Sequence, residues 1–494
     1  MKNLDLLAFD LGASNGRAVL GRFDGERVTL EELHRFENAN VTLDGVLSWD
    51  ADGLLGHLKS GFAAYRRQGG ANLAAFGIDT WGVDFGLLDA AGKLLAQPRA
   101  YRYSTDDAMH RAWDVVPRRI LFDRTGIAAM NFNTVYQLYR RRLESDPALA
   151  EAETLLLMPD LLGYLLTGEK RSEYTNVTTT NLYDPRAKDW DRATIRALGI
   201  PERIFTEIDR AGRLRGALTP AVAAELGVGA VPFAAVGTHD TASAVAAVPG
   251  RGDFAFCSSG TWSLFGVETD DPALSDDVCA SNFSNEGTVQ GGFRPLKNIM
   301  GLWPLQECRR EWTAAARKMT WDEVAAAAEA AAPFRSIVDP DWAPFFAPGD
   351  MNAKIRRYCR GTNQPEPETE GEVARCFFES LALKYRWAVE HLERIKGAPL
   401  RTLHIVGGGI HHRILNRMAA DATGRLVVTG PVEGACAGNL LMQAVALGEL
   451  SGVAEAREVV RRSFDVEEYG PRPTPAWEDA YGRLLGYMSR EVQP

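Results

Sequence analysis

The sequence is short of cysteine. Six in 494 residues, none arranged as Cys-x-x-Cys, exclude a disulfide framework and a thiolate zinc site. In a reducing compartment no structural bridge is expected between Cys359 and Cys376. Positive charge is also in deficit. Fifty-five Lys and Arg against 65 Asp and Glu leave a formal net charge of −10, which argues against a nucleic-acid or anionic-membrane surface. Nucleotide binding stays open, because it needs only local donors and a metal. No apolar run is long enough to cross a bilayer. The first residues lack a basic stretch followed by an apolar one and a cleavage site, so a cytoplasmic protein is expected. No Gly-Lys-Ser/Thr follows the first glycine turn, and no helix starts there, which removes the P-loop.

What is present is globular: 46% hydrophobic and 24% charged residues, in a chain long enough for two or three domains. The organising stretch is Leu6-Leu7-Ala8-Phe9-Asp10-Leu11-Gly12-Ala13-Ser14-Asn15-Gly16-Arg17-Ala18-Val19-Leu20. It predicts two antiparallel strands around a small-residue turn. Glycines let a ligand approach the backbone, and successive N–H groups can form an anion-binding concavity. Ser14 and Asn15 add donors, Arg17 a cation, and Asp10 a carboxylate within reach of a magnesium ion. An ordinary hairpin with a polar turn satisfies the same pattern.

The pattern returns at Phe254–Gly266, around Ser258-Ser259-Gly260-Thr261. Two phosphate-type hairpins, one opening each half, suggest two related domains facing one nucleotide, as in the sugar kinase, Hsp70 and actin superfamily with its ribonuclease H-like cores. Strands alternate with helices throughout, so the class is α/β. Pro249-Gly250-Arg251-Gly252 breaks the pattern, giving domains 1–247 and 248–494. Helices are expected at 51–68, 104–122, 133–145, 161–166, 312–332, 371–395, 411–421 and 435–447. Residues 172–184, rich in Ser, Thr and Asn, are expected to be a loop.

Among chemical candidates, Asp240 ends a strand and precedes a helix. A carboxylate there can accept a hydroxyl proton or simply cap the helix. Gly407-Gly408-Gly409 after a strand admits a ligand to the backbone, or makes a plain turn; the third glycine of a dinucleotide fingerprint is missing. Adjacent His411 and His412 point in different directions on a helix and do not chelate. Trp81-Gly82, Asn298, Trp303 and Gln306 fit packing as well as recognition.

The segments Phe9–Arg17, Gly77-Ile78-Asp79-Thr80-Trp81-Gly82-Val83-Asp84-Phe85, Thr238–Ala244, Ser258–Leu264, Leu296–Trp303 and His404–Gly409 occur in this order. Together they resemble the FGGY carbohydrate kinases over about residues 5 to 450. The resemblance implies two ribonuclease H-like domains flanking a nucleotide and sugar cleft. It implies ATP-dependent phosphorylation of a ketose at its primary hydroxyl, L-rhamnulose before L-fuculose or xylulose. Ala13, Ser14, Asn15, Gly16, Arg17 and Thr261 would bind the phosphates of ATP, with Gln306 and Gly408 also at the nucleotide. Asp240 would be the base. Gly82, His239, Asp240, Thr241 and Asn298 would contact the sugar, and Asp10 would hold Mg2+ through water. Pro304, where leucine is common, would shift Gln306. A monomer or homodimer is expected, and an actin-like nucleotide switch is the alternative from another class.

Overall fold

A computed structural model describes residues 3–490, other than 105 and 473. It contains two compact units. The first comprises Met1–Pro249, Glu268–Pro295 and Gly434–Phe464. The second comprises Gly250–Val267, Leu296–Glu433 and Asp465–Pro494.

In the first unit, β1 (Leu4–Leu11), β2 (Asn15–Phe23) and β3 (Val28–Glu37) form an antiparallel meander. β4 (Leu73–Thr80) lies parallel to β1, β6 (Pro232–Ala235) parallel to β4, and β5 (Arg213–Ala217) antiparallel to β6. The order is β5-β6-β4-β1-β2-β3. β1 is central, and Leu6 to Phe9 have no exposed surface, as the continuous apolar run requires. α1 (Ala51–Arg67) buries Leu54, Leu58, Phe62 and Tyr65 against this sheet, and Asp50 caps it by accepting from the Gly53 N–H.

The second unit repeats the connectivity. β7 (Ala255–Ser259), β8 (Trp262–Gly266) and β9 (Phe293–Met300), of which Leu296–Met300 lie in this unit, are antiparallel. β10 (Thr402–Val406) and β11 (Leu426–Thr429) continue parallel from β7, and β12 (Glu467–Tyr469) closes the edge. Meander followed by parallel strands, twice, is the expected ribonuclease H-like plan in an α/β protein.

The compact units are not continuous along the chain. Residues 268–295 and 434–464 of the second half belong to the first unit. The reason is visible in α5 (Gly434–Ala446), which is buried nearly throughout and packs on α2 (Asp240–Ala246). A Cβ on Gly438 would stand 1.8 Å from the Ser243 carbonyl oxygen, so only glycine permits that approach.

Three expectations are corrected. The helix at 104–122 is broken at Pro117 into Asp106–Val115 and Arg118–Thr125. The Ala-rich segment 312–332 is two helices, α3 (Trp303–Ala314) and Trp321–Ala330, separated at Ala316 with φ of +62°. Residues 172–184 are no solvated loop. They form a buried turn of helix, Tyr174–Val177, and a 3-10 turn, Thr178–Thr180. The hydroxyls of Thr178, Thr179 and Thr180 donate to the carbonyls of Thr175, Asn176 and Val177, which is how a polar stretch can be buried.

Candidate active site

In the first unit, β1 and β4 end side by side with Asp10 opposite Asp79. The hairpin turn after Asp10 is braced. Gly12 N–H donates to Asn15 O at 2.8 Å, and Asn38 donates from its backbone to Ser14 O at 3.0 Å and from its side chain to Gly12 O at 2.8 Å. Arg17 donates to Asp10 Oδ2 through Nε at 3.0 Å and Nη2 at 2.8 Å, and the Cys436 thiol lies 3.4 Å from the same oxygen. Asp79, with no exposed surface, accepts from Asn439 Nδ2 at 2.6 Å; its other oxygen has no hydrogen-bond partner. Burial, then the neighbouring Asp10, pushes the Asp79 carboxyl well above the usual range.

The residues around Gly82 and Asp240 are drawn together by the buried 172–184 turn. Thr80 N–H donates to Thr238 O at 2.9 Å. Asn176 Nδ2 reaches Trp81 O at 3.4 Å and Thr238 O at 3.3 Å. Glu173 Oε2 accepts from the backbone N–H and the hydroxyl of Thr238 at 3.2 and 2.8 Å, while Thr175 Oγ1 accepts from His239 N–H at 3.2 Å. A buried carboxylate thus pins the strand end that carries His239 and Asp240.

Asp240 is the first residue of α2, and the N-cap is His239, so the capping alternative for Asp240 does not hold. Its carboxylate instead accepts from the backbone and hydroxyl of Thr241 and stays 31% open on its side chain. Burial raises its pKa, His239 opposes this, and Asp10 adds to it. His239 Nε2 is 3.5 Å from Asp240 Oδ1, and Nδ1 is 3.1 Å from Glu286 Oε2.

Gly82 turns the chain against Thr179, whose Oγ1 would be 2.9 Å from an added Cβ. Val83 follows at φ +70°, a conformation that costs a β-branched residue about 1–3 kcal/mol. It is held by Val83 N–H donating to Thr179 Oγ1 at 3.0 Å and Thr134 Oγ1 donating to Val83 O at 2.6 Å. Asp84 anchors this corner. Its carboxylate accepts from Trp49 Nε1 at 2.7 Å, Trp81 Nε1 at 2.9 Å, Gln137 Nε2 at 3.0 Å and Tyr101 N–H at 3.1 Å.

In the second unit the β7–β8 turn is closed by Gly260 N–H donating to Trp262 O at 2.8 Å. Thr261 Oγ1 lies 3.5 Å from Gln306 Oε1. Pro304 sits in the first turn of α3, where no N–H is needed, and Gln306 keeps its bond to Leu302 O at 2.9 Å. Gln306 opens a groove of about 640 Å³ whose far wall carries Arg310 and Trp321. The glycine loop lies against the same hairpin. Gly407, at φ +85°, would place a Cβ 2.9 Å from Ser259 O, whereas Gly408 faces open space. A 3-10 turn, Gly408–His411, leads to α4 (Arg413–Thr423) in place of a helix starting at 411. His412 packs edge-on against Trp321 at 4.7 Å, and burial pushes it down to about 4. Asn298 lies on β9 with a buried Oδ1 lacking a hydrogen-bond partner. The Cys359 and Cys376 side chains are neighbours, both buried and unbridged.

The geometry is matched by the sequence comparisons. The model for the N-terminal domain of the FGGY family of carbohydrate kinases covers residues 6–247, and that for the C-terminal domain covers 255–447. This chain belongs to the FGGY carbohydrate kinases. It is 42% identical over 479 residues to a rhamnulokinase of Bacteroides thetaiotaomicron, covering 97% of this chain and 98% of that one. It is 40% identical to a rhamnulokinase of Halalkalibacterium halodurans, covering 94% and 98%. Among solved structures, a xylulose kinase from Rhodospirillum rubrum superposes with a TM-score of 0.80 at 18% identity, covering 98% of both chains. A Plasmodium falciparum glycerol kinase with ADP reaches 0.77 at 13%, again covering 98% of both. These two show the FGGY fold.

Sequence reasoning did not single out Glu173, Asn176, Glu286 or Arg294. The first two lay in the stretch read as a loop. The last two show no periodicity that marks a site; a charged pair eight residues apart within an otherwise apolar and small-residue run was the available signal. Asp79 and Asp84 stood in the quoted Gly77–Phe85 segment without a role.

Proposed function

We propose that this protein is an ATP-dependent ketose kinase that converts L-rhamnulose to L-rhamnulose 1-phosphate. The observation that carries the sugar's identity is the 42% identity over 97% of the chain to a rhamnulokinase. Asp240 is the base: placed at a strand end, part open, and with its affinity for a proton raised by burial, it takes the C1 hydroxyl proton. The C1 oxygen forms its bond to the γ-phosphorus as the bond to the β,γ-bridging oxygen breaks. Gly82, His239, Thr241 and Asn298 hold the sugar, and the unpartnered Asn298 Oδ1 is suited to accept from a hydroxyl. Ala13, Ser14, Asn15, Gly16, Arg17 and Thr261 bind the phosphates, with Gly408 at the adenosine and Gln306 also at the nucleotide.

The donor set fits Mg2+. Asp10 offers carboxylate oxygen at the end of β1 beside Asp79, whose second oxygen lacks a partner, and Mg2+ takes one or two carboxylates together with phosphate and water. Asp10 would hold it, and when bound it supplies neutralisation of phosphate charge. No helix among the described residues is long and apolar enough to cross a membrane. The proposal includes work in the cytoplasm as a monomer or homodimer.

The test is ADP release coupled to a reporter enzyme with L-rhamnulose, L-fuculose, L-xylulose, D-xylulose and glycerol under saturating MgATP. L-rhamnulose is expected to have the highest kcat/KM. A site that hydrogen-bonds each hydroxyl loses about 1–3 kcal/mol for an epimer that leaves a buried group unpaired, roughly tenfold to hundredfold. A higher value for another ketose overturns the sugar assignment. ATP turnover indifferent to every sugar overturns the kinase reading in favour of a nucleotide switch.

A further inference from the structure

Behind the proposed sugar contact His239 stands a pair of buried charges with no part in phosphate binding or proton removal. Arg294 has no exposed surface and Glu286 is 6% exposed. Arg294 Nη2 donates to Glu286 Oε2 at 3.0 Å, and its Nε donates to Gly287 O at 2.8 Å. The same Glu286 oxygen lies 3.1 Å from His239 Nδ1, with Arg294 Nη2 at 3.2 Å from that nitrogen. The opposite ring nitrogen, Nε2, faces Asp240. The imidazole therefore has a carboxylate at each end.

Arginine offers donors only, and Glu286 when ionised offers acceptors only. Burial works against the Glu286 charge, but His239 and Arg294 outweigh it and hold the carboxyl below its usual range. Nδ1 meets the Glu286 acceptor at 3.1 Å and the Arg294 donor at 3.2 Å together, so the pair can hold that edge of the ring whichever nitrogen carries the proton. An isolated buried ion pair is weak support for stability, since desolvation offsets most of its attraction. What this pair supplies is direction.

We propose that Glu286, itself held by Arg294, is a positioning residue that fixes the His239 ring with its Nδ1 edge toward Glu286 and Arg294, so that Nε2 is the atom presented to Asp240 and the ketose. The proposal rests on the kinase reading for what His239 touches, while the ring's orientation is independent of it. A second carboxylate thereby bears on the reaction without touching a substrate. Carboxylate partners behind ligand histidines act in the same way, and their removal costs about 10- to 100-fold in affinity or activity.

Two measurements test it. ¹⁵N NMR of histidine-labelled enzyme, with the His239 signals identified by their loss in His239→Gln, should show those ring signals moved in Glu286→Gln and nearer their wild-type positions in Glu286→Asp. Ring signals that stay in place in both variants overturn the proposal, whatever the fate of the kinase reading, and where Glu286→Gln does not fold the Glu286→Asp arm decides. In Glu286→Gln, the KM for the ketose should rise about 10- to 100-fold, with the KM for ATP within about twofold and the His239 ring signals moved. Unchanged ketose kinetics overturn it. So does an equal loss for both substrates together with a lowered unfolding midpoint, which would mark a purely structural pair. Failure of the kinase reading would show separately, as wild-type ATP turnover indifferent to ketoses.

Discussion

Replacing Asp84 by Asn sets two effects of known sign against each other. The carboxylate is 1% exposed and accepts four hydrogen bonds, three of them on Oδ2. An asparagine with its carbonyl in the Oδ2 position keeps the bonds from Trp49, Trp81 and Tyr101 and turns its amide toward Gln137. The lost bond to Gln137 and the opposed donors cost about 1–3 kcal/mol. Against this stands the buried charge. Burial pushes Asp84 from 3.8 up to about 6, although its four donors pull the other way. A raised acid keeps its proton in the folded state where the unfolded chain has lost it. Its contribution to stability is therefore full at acid pH and falls as pH rises from about 4 to about 6, by about 3 kcal/mol for two units. Asp84→Asn has no such dependence. At pH 4 the variant should be less stable than the wild type by about 1–3 kcal/mol, and at pH 7 equal to it or more stable, a relative change of about 3 kcal/mol. Urea unfolding followed by tryptophan fluorescence at pH 4, 5, 6 and 7 measures the difference, with Trp49 and Trp81 as local reporters. A stability gap that does not change with pH would refute the argument and show that the four donors keep Asp84 at its ordinary value.

Two other substitutions probe the proposed chemistry. Asp240→Asn should lower kcat by about 10²–10⁴-fold with little change in sugar or nucleotide binding by calorimetry; retention of more than about a tenth of kcat in a folded variant would show that Asp240 is not the base. Gly82→Ala places a methyl against Thr179 and should destabilise by about 1–3 kcal/mol while lowering kcat/KM for the ketose, and wild-type kinetics in that variant would remove Gly82 from the sugar contact.

The two hairpins, the α/β alternation and the strand-end aspartate were legible because each rests on local chemistry: apolar runs, small-residue turns, a carboxylate before a helix. The 172–184 turn was not, since Ser, Thr and Asn signal solvent by composition and only the structure shows Thr178, Thr179 and Thr180 satisfying their own backbone. The break at Ala316 was hidden by high helix propensity on both sides. Arg17 was read as a cation for phosphate, and strand register adds that it is bonded to Asp10. Glu286 and Arg294 sit far from His239 in sequence, and nothing local tells that they meet it.

The discontinuity of the first unit bears on how the chain is made. Its sheet is complete by Ala235, yet the helix that covers one face, α5, comes some two hundred residues later. That helix brings Asn439 to Asp79, Gln443 to the Leu7 carbonyl at 3.0 Å and Cys436 to Asp10. A ribosome releasing the first 250 residues therefore presents a sheet with an uncovered apolar face and an Asp79 without its Asn439 donor. Until α5 emerges the nascent first half exposes apolar surface of the kind that is prone to aggregate. The first half, expressed alone, lacks residues 268–295 and 434–464 and so does not make a finished unit.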